Sequence, residues 1–262
     1  MKKFILIVIT ILTLSSTTYA DLLNIGAGIG SWSQTPEGFM EYKDTANDSS
    51  GRDTSQENTI TNIYTWFYIK HYFPYVPNIR MEYSSIESDG QGSGTLTGFE
   101  IPIGSNFPTT LEMNQFEIIP YYNLLDDSFF INVDIGLAIK FIDYQATGRL
   151  EINTGGMLSL GNEVYNEKGD FIAPLPYLRV RTQLPFNIGA ETTLKYGALD
   201  GSSFTDLIMK IDYTLDFFPI IKPGFELGYK LVDLDAEVED GDTTSIIKLT
   251  FSGIFIGLLI DF

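Results

Sequence analysis

The groups able to do chemistry in this chain are carboxylates, ammonium and guanidinium groups, and a single imidazole. The 262 residues hold one histidine, His71, and no cysteine. Thiolate chemistry and disulfides are therefore excluded, and a serine–histidine hydrolase would have to be built on His71. His71 is flanked by Tyr72, Phe73 and Tyr75 just before Pro74, a setting that suits an interfacial residue better than a general base. The other candidates are charges at alternating positions. Arg80, Lys140, Arg179, Arg181, Lys195, Lys210 and Lys230 are the bases; Glu82, Asp134, Glu191, Asp206, Asp212, Asp216 and Glu226 are the acids. Buried together, seven charges of each sign make an ion-pair network, because unpaired burial is very costly. Lining water, the same charges make the wall of a slim pore with mixed selectivity. Asp233, Asp235, Glu237, Glu239, Asp240 and Asp242 crowd one stretch without a base. Solvation explains them, and binding of Ca²⁺ or Mg²⁺ is the functional alternative, although the spacing is not that of an EF-hand.

The elements that must position these charges read as strands. Apolar residues fall on every second position in Phe129–Phe141 and Leu207–Phe217. The shorter runs Phe225–Leu231, Ile79–Tyr83 and Leu178–Leu184 repeat the pattern. A helix recurs every three to four residues and would not keep that register. The longer runs match the 9–11 residues a tilted strand needs to cross a bilayer. Aromatics gather where they end: Tyr72, Phe73 and Tyr75; Tyr121, Tyr122, Phe129 and Phe130; Phe217 and Phe218. Short turns at 74–78, 125–128, 185–186 and 219–223 alternate with long polar segments at 33–58, 88–110 and 151–170. These features predict an all-β, antiparallel up-and-down transmembrane β-barrel of ten strands, with eight or twelve as alternatives. The strands are expected at 21–32, 59–73, 79–88, 110–124, 128–147, 171–184, 187–198, 204–217, 223–234 and 244–262. Segment 88–110 either extends an outer hairpin or is irregular.

Residues 1–20 have the three parts of a secretory signal peptide: Lys2 and Lys3, an apolar run from Phe4 to Leu14, and a Thr18-Tyr19-Ala20 cleavage site. The mature part, 21–262, loses two bases, leaving 16 − 2 = 14 against 34 acids, a net charge of −20. That argues against nucleic acid as a partner. Gly26, Gly28 and Gly30 do not make a dinucleotide fingerprint; they leave room for long inward side chains. No cofactor is expected.

The chain ends Ile254-Phe255-Ile256-Gly257-Leu258-Leu259-Ile260-Asp261-Phe262. Ile254, Ile256, Leu258, Ile260 and Phe262 share one face, while Leu249 and Phe251 take the other parity, so a bulge is expected near Ser252-Gly253. This strand resembles the C-terminal strand of bacterial integral outer-membrane β-barrel proteins, and the chain looks like a member of their small, uncharacterised families. The resemblance implies an outer-membrane location and an assembly signal at Phe262 read by the barrel-assembly machinery. It also implies periplasmic chaperones during export, and outer-membrane lipid and lipopolysaccharide as surroundings. Ten-stranded barrels include the omptin proteases, but His71 falls at the wrong end for their outer-rim site, and no enzyme is expected. The leading expectation is a structural or surface-interaction barrel with a salt-bridged narrow lumen and acidic outer loops. A narrow solute channel comes second and an outer-membrane enzyme third.

Overall fold

In the computed structural model, residues 23–44, 49–55, 58–73, 75–95, 107–128, 131–153, 159–199, 202–216, 221–240 and 243–262 are described. The signal peptide, Phe129, Phe130, Phe217, Phe218 and Asp242 lie outside them. The strands are β1 (Leu23–Asp44), β2 (Ser49–Ser55), β3 (Ile60–His71), β4 (Asn78–Thr95), β5 (Phe107–Ser128) and β6 (Ile131–Asn153). They continue as β7 (Ser159–Leu184), β8 (Ile188–Leu199), β9 (Ser202–Thr214), β10 (Lys222–Asp240) and β11 (Thr243–Asp261). Each pairs antiparallel with its neighbours, and β11 closes on β1 from Gly26↔Asp261 to Asp44↔Thr243. β2 and β3 together make one stave between β1 and β4, so the closed barrel has ten.

Alternation builds this wall because successive side chains point to opposite faces. Ile131, Ile135, Leu137 and Phe141 of β6 are exposed outside, while Asp134, Ala138, Lys140 and Ile142 are buried inside. The same division runs along β9, where Met209, Ile211 and Tyr213 face out and Asp206, Lys210 and Asp212 face in. The exterior is an apolar band that no soluble fold would leave uncovered.

Three expectations change. The described parts of segments 33–58 and 151–170 are largely strand, β1 and β2 pairing up to Asp44↔Ser49 and β6 and β7 up to Asn153↔Ser159, while the described part of segment 88–110 takes the expected hairpin extension, β4 and β5 pairing up to Gly92↔Phe107. Polar sequence still forms ladders here because the hairpins continue from registers already set below them. The bulge near Ser252-Gly253 is absent, since β11 pairs without a shift to both β10 and β1. Leu249 and Phe251 instead face inward as buried core residues. The shifts fall at Asn123/Leu125, Leu125/Ser128 and Gly148/Arg149. The turn expected at 125–128 is the end of β5.

The small inward residues of β1 have a defined purpose. A β-carbon on Gly28 would lie 2.3 Å from Trp66 Nε1, because Gly28 is directly opposite Trp66 on β3. Gly26 and Gly30 stand in the same way under Tyr68 and Tyr64. The three rings lie across the floor that the glycines leave open and so reach into the lumen.

Candidate functional site: a charge network across the lumen

Register creates the first contacts. Asp134 is directly opposite Arg179, Arg181 opposite Glu191, Glu191 opposite Lys210, Lys195 opposite Asp206, and Glu117 opposite Lys140. Opposed side chains on one face lie about 4.5–5.5 Å apart at Cβ, so these pairs are made by neighbouring strands alone. Closure of the barrel then adds partners from the far wall.

Toward the end that carries Leu23 and Phe262, Arg181 forks onto Asp212 with Nη1 at 2.6 Å from Oδ2 and Nη2 at 2.8 Å from Oδ1. Arg179 donates to Asp134 Oδ2 and to Glu191 Oε2, each at 2.7 Å. Asn123 supplies a further donor to Asp134 at 2.7 Å, and Tyr68 donates to Asp261 at 3.0 Å. One step deeper, Glu226 accepts from Tyr64, from Trp66 Nε1 at 2.9 Å and from Lys210 at 2.9 Å. The Lys210 ammonium and the Arg80 guanidinium stand 4.5 and 5.1 Å from the Trp66 ring, within cation–π range. Arg80 Nε also donates to Glu82 at 2.5 Å.

The deepest layer is the driest. Lys195 reaches Glu82 at 2.6 Å, Glu117 at 2.8 Å and Asp206 at 3.5 Å. Lys140 reaches Asp206 at 2.8 Å and Glu117 at 3.0 Å, with Gln115 Oε1 at 3.1 Å. Lys230 takes Ser84 Oγ at 3.2 Å and stands 3.8 Å from Asp206. Glu82 and Glu117 are directly opposite across the β4–β5 ladder, and Lys195 relieves that like-charge pair by contacting both. Beyond this layer the lumen turns apolar, filled by Ile86, Leu111, Met113, Ile142, Phe204, Val232, Leu249 and Phe251.

Thirteen of the fourteen predicted lumen charges are buried or hold buried partners in this manner: Arg80, Glu82, Asp134, Lys140, Arg179, Arg181, Glu191, Lys195, Asp206, Lys210, Asp212, Glu226 and Lys230. Asp216 does not. It lies past the end of β9, half exposed, 3.8 Å from Lys222, because the strand turns away before its parity applies. Glu117 takes the place expected for it, keeping seven buried acids (Glu82, Glu117, Asp134, Glu191, Asp206, Asp212, Glu226) against the seven bases. Glu117 escapes a sequence reading because both faces of β5 are rich in apolar residues: Leu111, Met113, Ile119 and Tyr121 face in, Phe116 faces out. Tyr64, Trp66 and Tyr68 are hidden for a similar reason, in a strand aromatic on both faces.

An internal space of about 30 Å³ remains between Trp32, Tyr64, Trp66, Lys210, Glu226 and Lys230. That is enough for one or a few waters and far short of a passage for solute.

The remaining candidates lie on the wall. Asp233, Asp235 and Glu237 fall on the outward parity of β10, with Asp233 accepting from Thr250 at 2.6 Å and Asp235 3.2 Å from Lys248. The side chains of Glu239 and Asp240 lie outside the described ones. Among the described residues, no group of three or more His, Cys, Asp or Glu side chains converges as a metal centre. His71 is at the Leu23 end, opposite Leu23 itself, with its backbone N–H donating to Asn78 Oδ1 at 2.9 Å. Ile254, Ile256 and Leu258 are exposed on the exterior, and Phe262 N donates to Ile25 O at 2.9 Å.

This architecture is that of the transmembrane β-barrels. The outer membrane protease OmpT of Escherichia coli superposes with a TM-score of 0.51 at 13% identity, covering 95% of this chain and 99% of that one. The translocator domain of the autotransporter NalP from Neisseria meningitidis matches with a TM-score of 0.42 at 12% identity, covering 95% and 92%. A Pseudomonas aeruginosa FadL homologue follows at 0.33 and 7%, covering 92% and 90%. At these identities the likeness concerns the fold alone. No family model matches the chain, and no curated protein sequence matches it.

Proposed function

We propose that the chain is an integral outer-membrane barrel of structural or surface-interaction type, with its lumen held shut. The observation that carries this reading is the paired network. Fourteen charges from β4 to β10 neutralise one another across the barrel, and the apolar cluster closes what lies beyond them. A narrow ten-stave lumen is nearer the side-chain-filled eight-strand case than an open porin. The end bearing Leu23 and Phe262 is then periplasmic, and the extended hairpins β1–β2, β4–β5, β6–β7 and β10–β11 stand above the outer surface. Their acids, Glu37, Glu87, Glu112, Asp143, Asp170 and Asp233 among them, sit on outward parity and face the lipopolysaccharide layer rather than the lumen. On this reading β11 is the strand that the assembly machinery receives.

The test is single-channel conductance of the mature protein, folded into a planar bilayer. A folded barrel that stays electrically silent is the expected result. Discrete, reproducible conductance would refute the closed lumen and make Arg179, Arg181, Asp212 and Glu226 selectivity residues of a narrow channel.

A further inference from the structure

The wall of the barrel ends sooner on one side than on the other. β8 and β9 pair to their tips at Leu199↔Ser202, and β9 follows β10 up to Ser203↔Asp235. β7 leaves β8 at Tyr177↔Lys195, yet it stays laddered to β6 as far as Asn153↔Ser159. β10 runs on past Asp235 with β11 alone, up to Asp240↔Thr243. Above the β8–β9 tip the wall is therefore an open sheet in the order β10-β11-β1-β2-β4-β5-β6-β7. β7 is one edge of it and β10 the other. Where β8 and β9 still stand, those two strands are three strand spacings apart, about 14 Å, which leaves room for an added strand.

Among the described residues, no strand pairs with the free side of residues 159–171 of β7, and no backbone hydrogen bond outside the ladders involves them. The N–H and C=O groups turned away from β6 form a ready template for another chain. Lys168 and Asp170 are exposed, so this edge stands in water, above the hydrocarbon that would forbid it. No proline blunts it. What it carries is charge: Glu163, Glu167 and Asp170 against Lys168, while segment 236–240 of the opposite edge adds Glu237, Glu239 and Asp240 without a base. Like charges set opposite one another destabilise strand pairing, and opposite charges favour it.

We propose that the free edge of β7 receives an extended, lysine- or arginine-rich polypeptide segment by strand addition. The proposal rests on the surface-interaction reading and names the chemistry of the partner. Backbone pairing supplies the attachment, and charge selects the occupant. A second copy of this chain, with a net charge of −18, would bring its acids against those of the edge, whereas a basic strand neutralises them.

The experiment uses the mature chain folded into phosphatidylcholine vesicles, and the probe is a synthetic peptide of alternating lysine and valine. p-Benzoylphenylalanine replaces Lys168 on the edge or Glu112 on β5, which β4 and β6 enclose on both sides, and adducts are identified by mass after irradiation. Peptide adduct is expected at 168, with about tenfold less at 112, since an enclosed strand has no edge to offer. N-methylation of two successive central residues of the peptide keeps its charge but removes a donor from each of its sides, and should cut the yield at 168 about tenfold. Glu163→Gln with Glu167→Gln and Asp170→Asn should cut it by about the same factor. Equal yields at 168 and 112, or a yield at 168 indifferent to N-methylation, would overturn strand addition and leave the surface-interaction reading in place. Adduct at neither position would overturn that reading for these hairpins as well, so the two failures are told apart. A cross-link from 168 to a second copy in the absence of peptide would overturn the choice of partner.

Discussion

Replacing Lys195 with Met removes the ammonium that stands between two directly opposed carboxylates. Lys195 has no solvent exposure and contacts Glu82, Glu117 and Asp206 at 2.6, 2.8 and 3.5 Å. Removing one partner from a buried pair costs about 3–5 kcal/mol, because the other charge stays buried without compensation. Here each acid keeps at least one cation: Arg80 for Glu82, Lys140 for Glu117, and Lys140 with Lys230 for Asp206. The expected cost is therefore at the low end, about 3 kcal/mol, or roughly 150-fold in the unfolding equilibrium. Adding Glu117→Gln restores the balance of six and six and abolishes the opposed pair, so about 2 kcal/mol should return as coupling between contacting residues. The assay is urea-induced unfolding of the barrel in lipid vesicles, followed by the fluorescence of Trp32 and Trp66 and extrapolated linearly. If Lys195→Met falls within about 0.5 kcal/mol of the parent, or the double variant is no more stable than the single, the network does not hold the lumen as described.

Ile211, 54% exposed on the apolar band, and Asp212, buried beside it, separate the two faces. Ile211→Arg should impair insertion by about 2–4 kcal/mol, whereas Asp212→Asn should insert normally and destabilise the folded barrel through Arg181; equal insertion deficits would count against the register. Gly28→Val places a side chain where Trp66 lies and should push the indole away from Glu226, read as a shift in tryptophan emission in a Trp32→Phe background. An unchanged spectrum would show that Trp66 does not rest on β1. Phe262→Ala should lower the yield of heat-modifiable, assembled barrel in cells more than its refolding in detergent; equal loss in both would mark a purely structural role.

Much of the fold was legible because alternation is a local property. β6, β9 and β10 each set polar residues against apolar ones at period two, so their inner and outer faces can be assigned residue by residue. Where both faces are apolar, that contrast vanishes. Gln115 and Glu117 sit among Leu111, Met113, Ile119 and Tyr121 in β5, and Leu249 and Phe251 in β11 read as a register slip when they are core residues of the upper lumen. Extended hairpins read as loops for the converse reason: they are polar on both sides, and only the register inherited from the barrel below keeps them as strands.

The sequence by itself determined an antiparallel ten-strand wall, an apolar exterior and a set of charges turned inward, since these follow from residue polarity at neighbouring positions. Only the tertiary structure decided which charge meets which. Lys195 and Glu82 are 113 residues apart, and Tyr64 and Glu226 are 162 apart. Such contacts exist because β11 closes on β1 and brings opposite walls within side-chain reach.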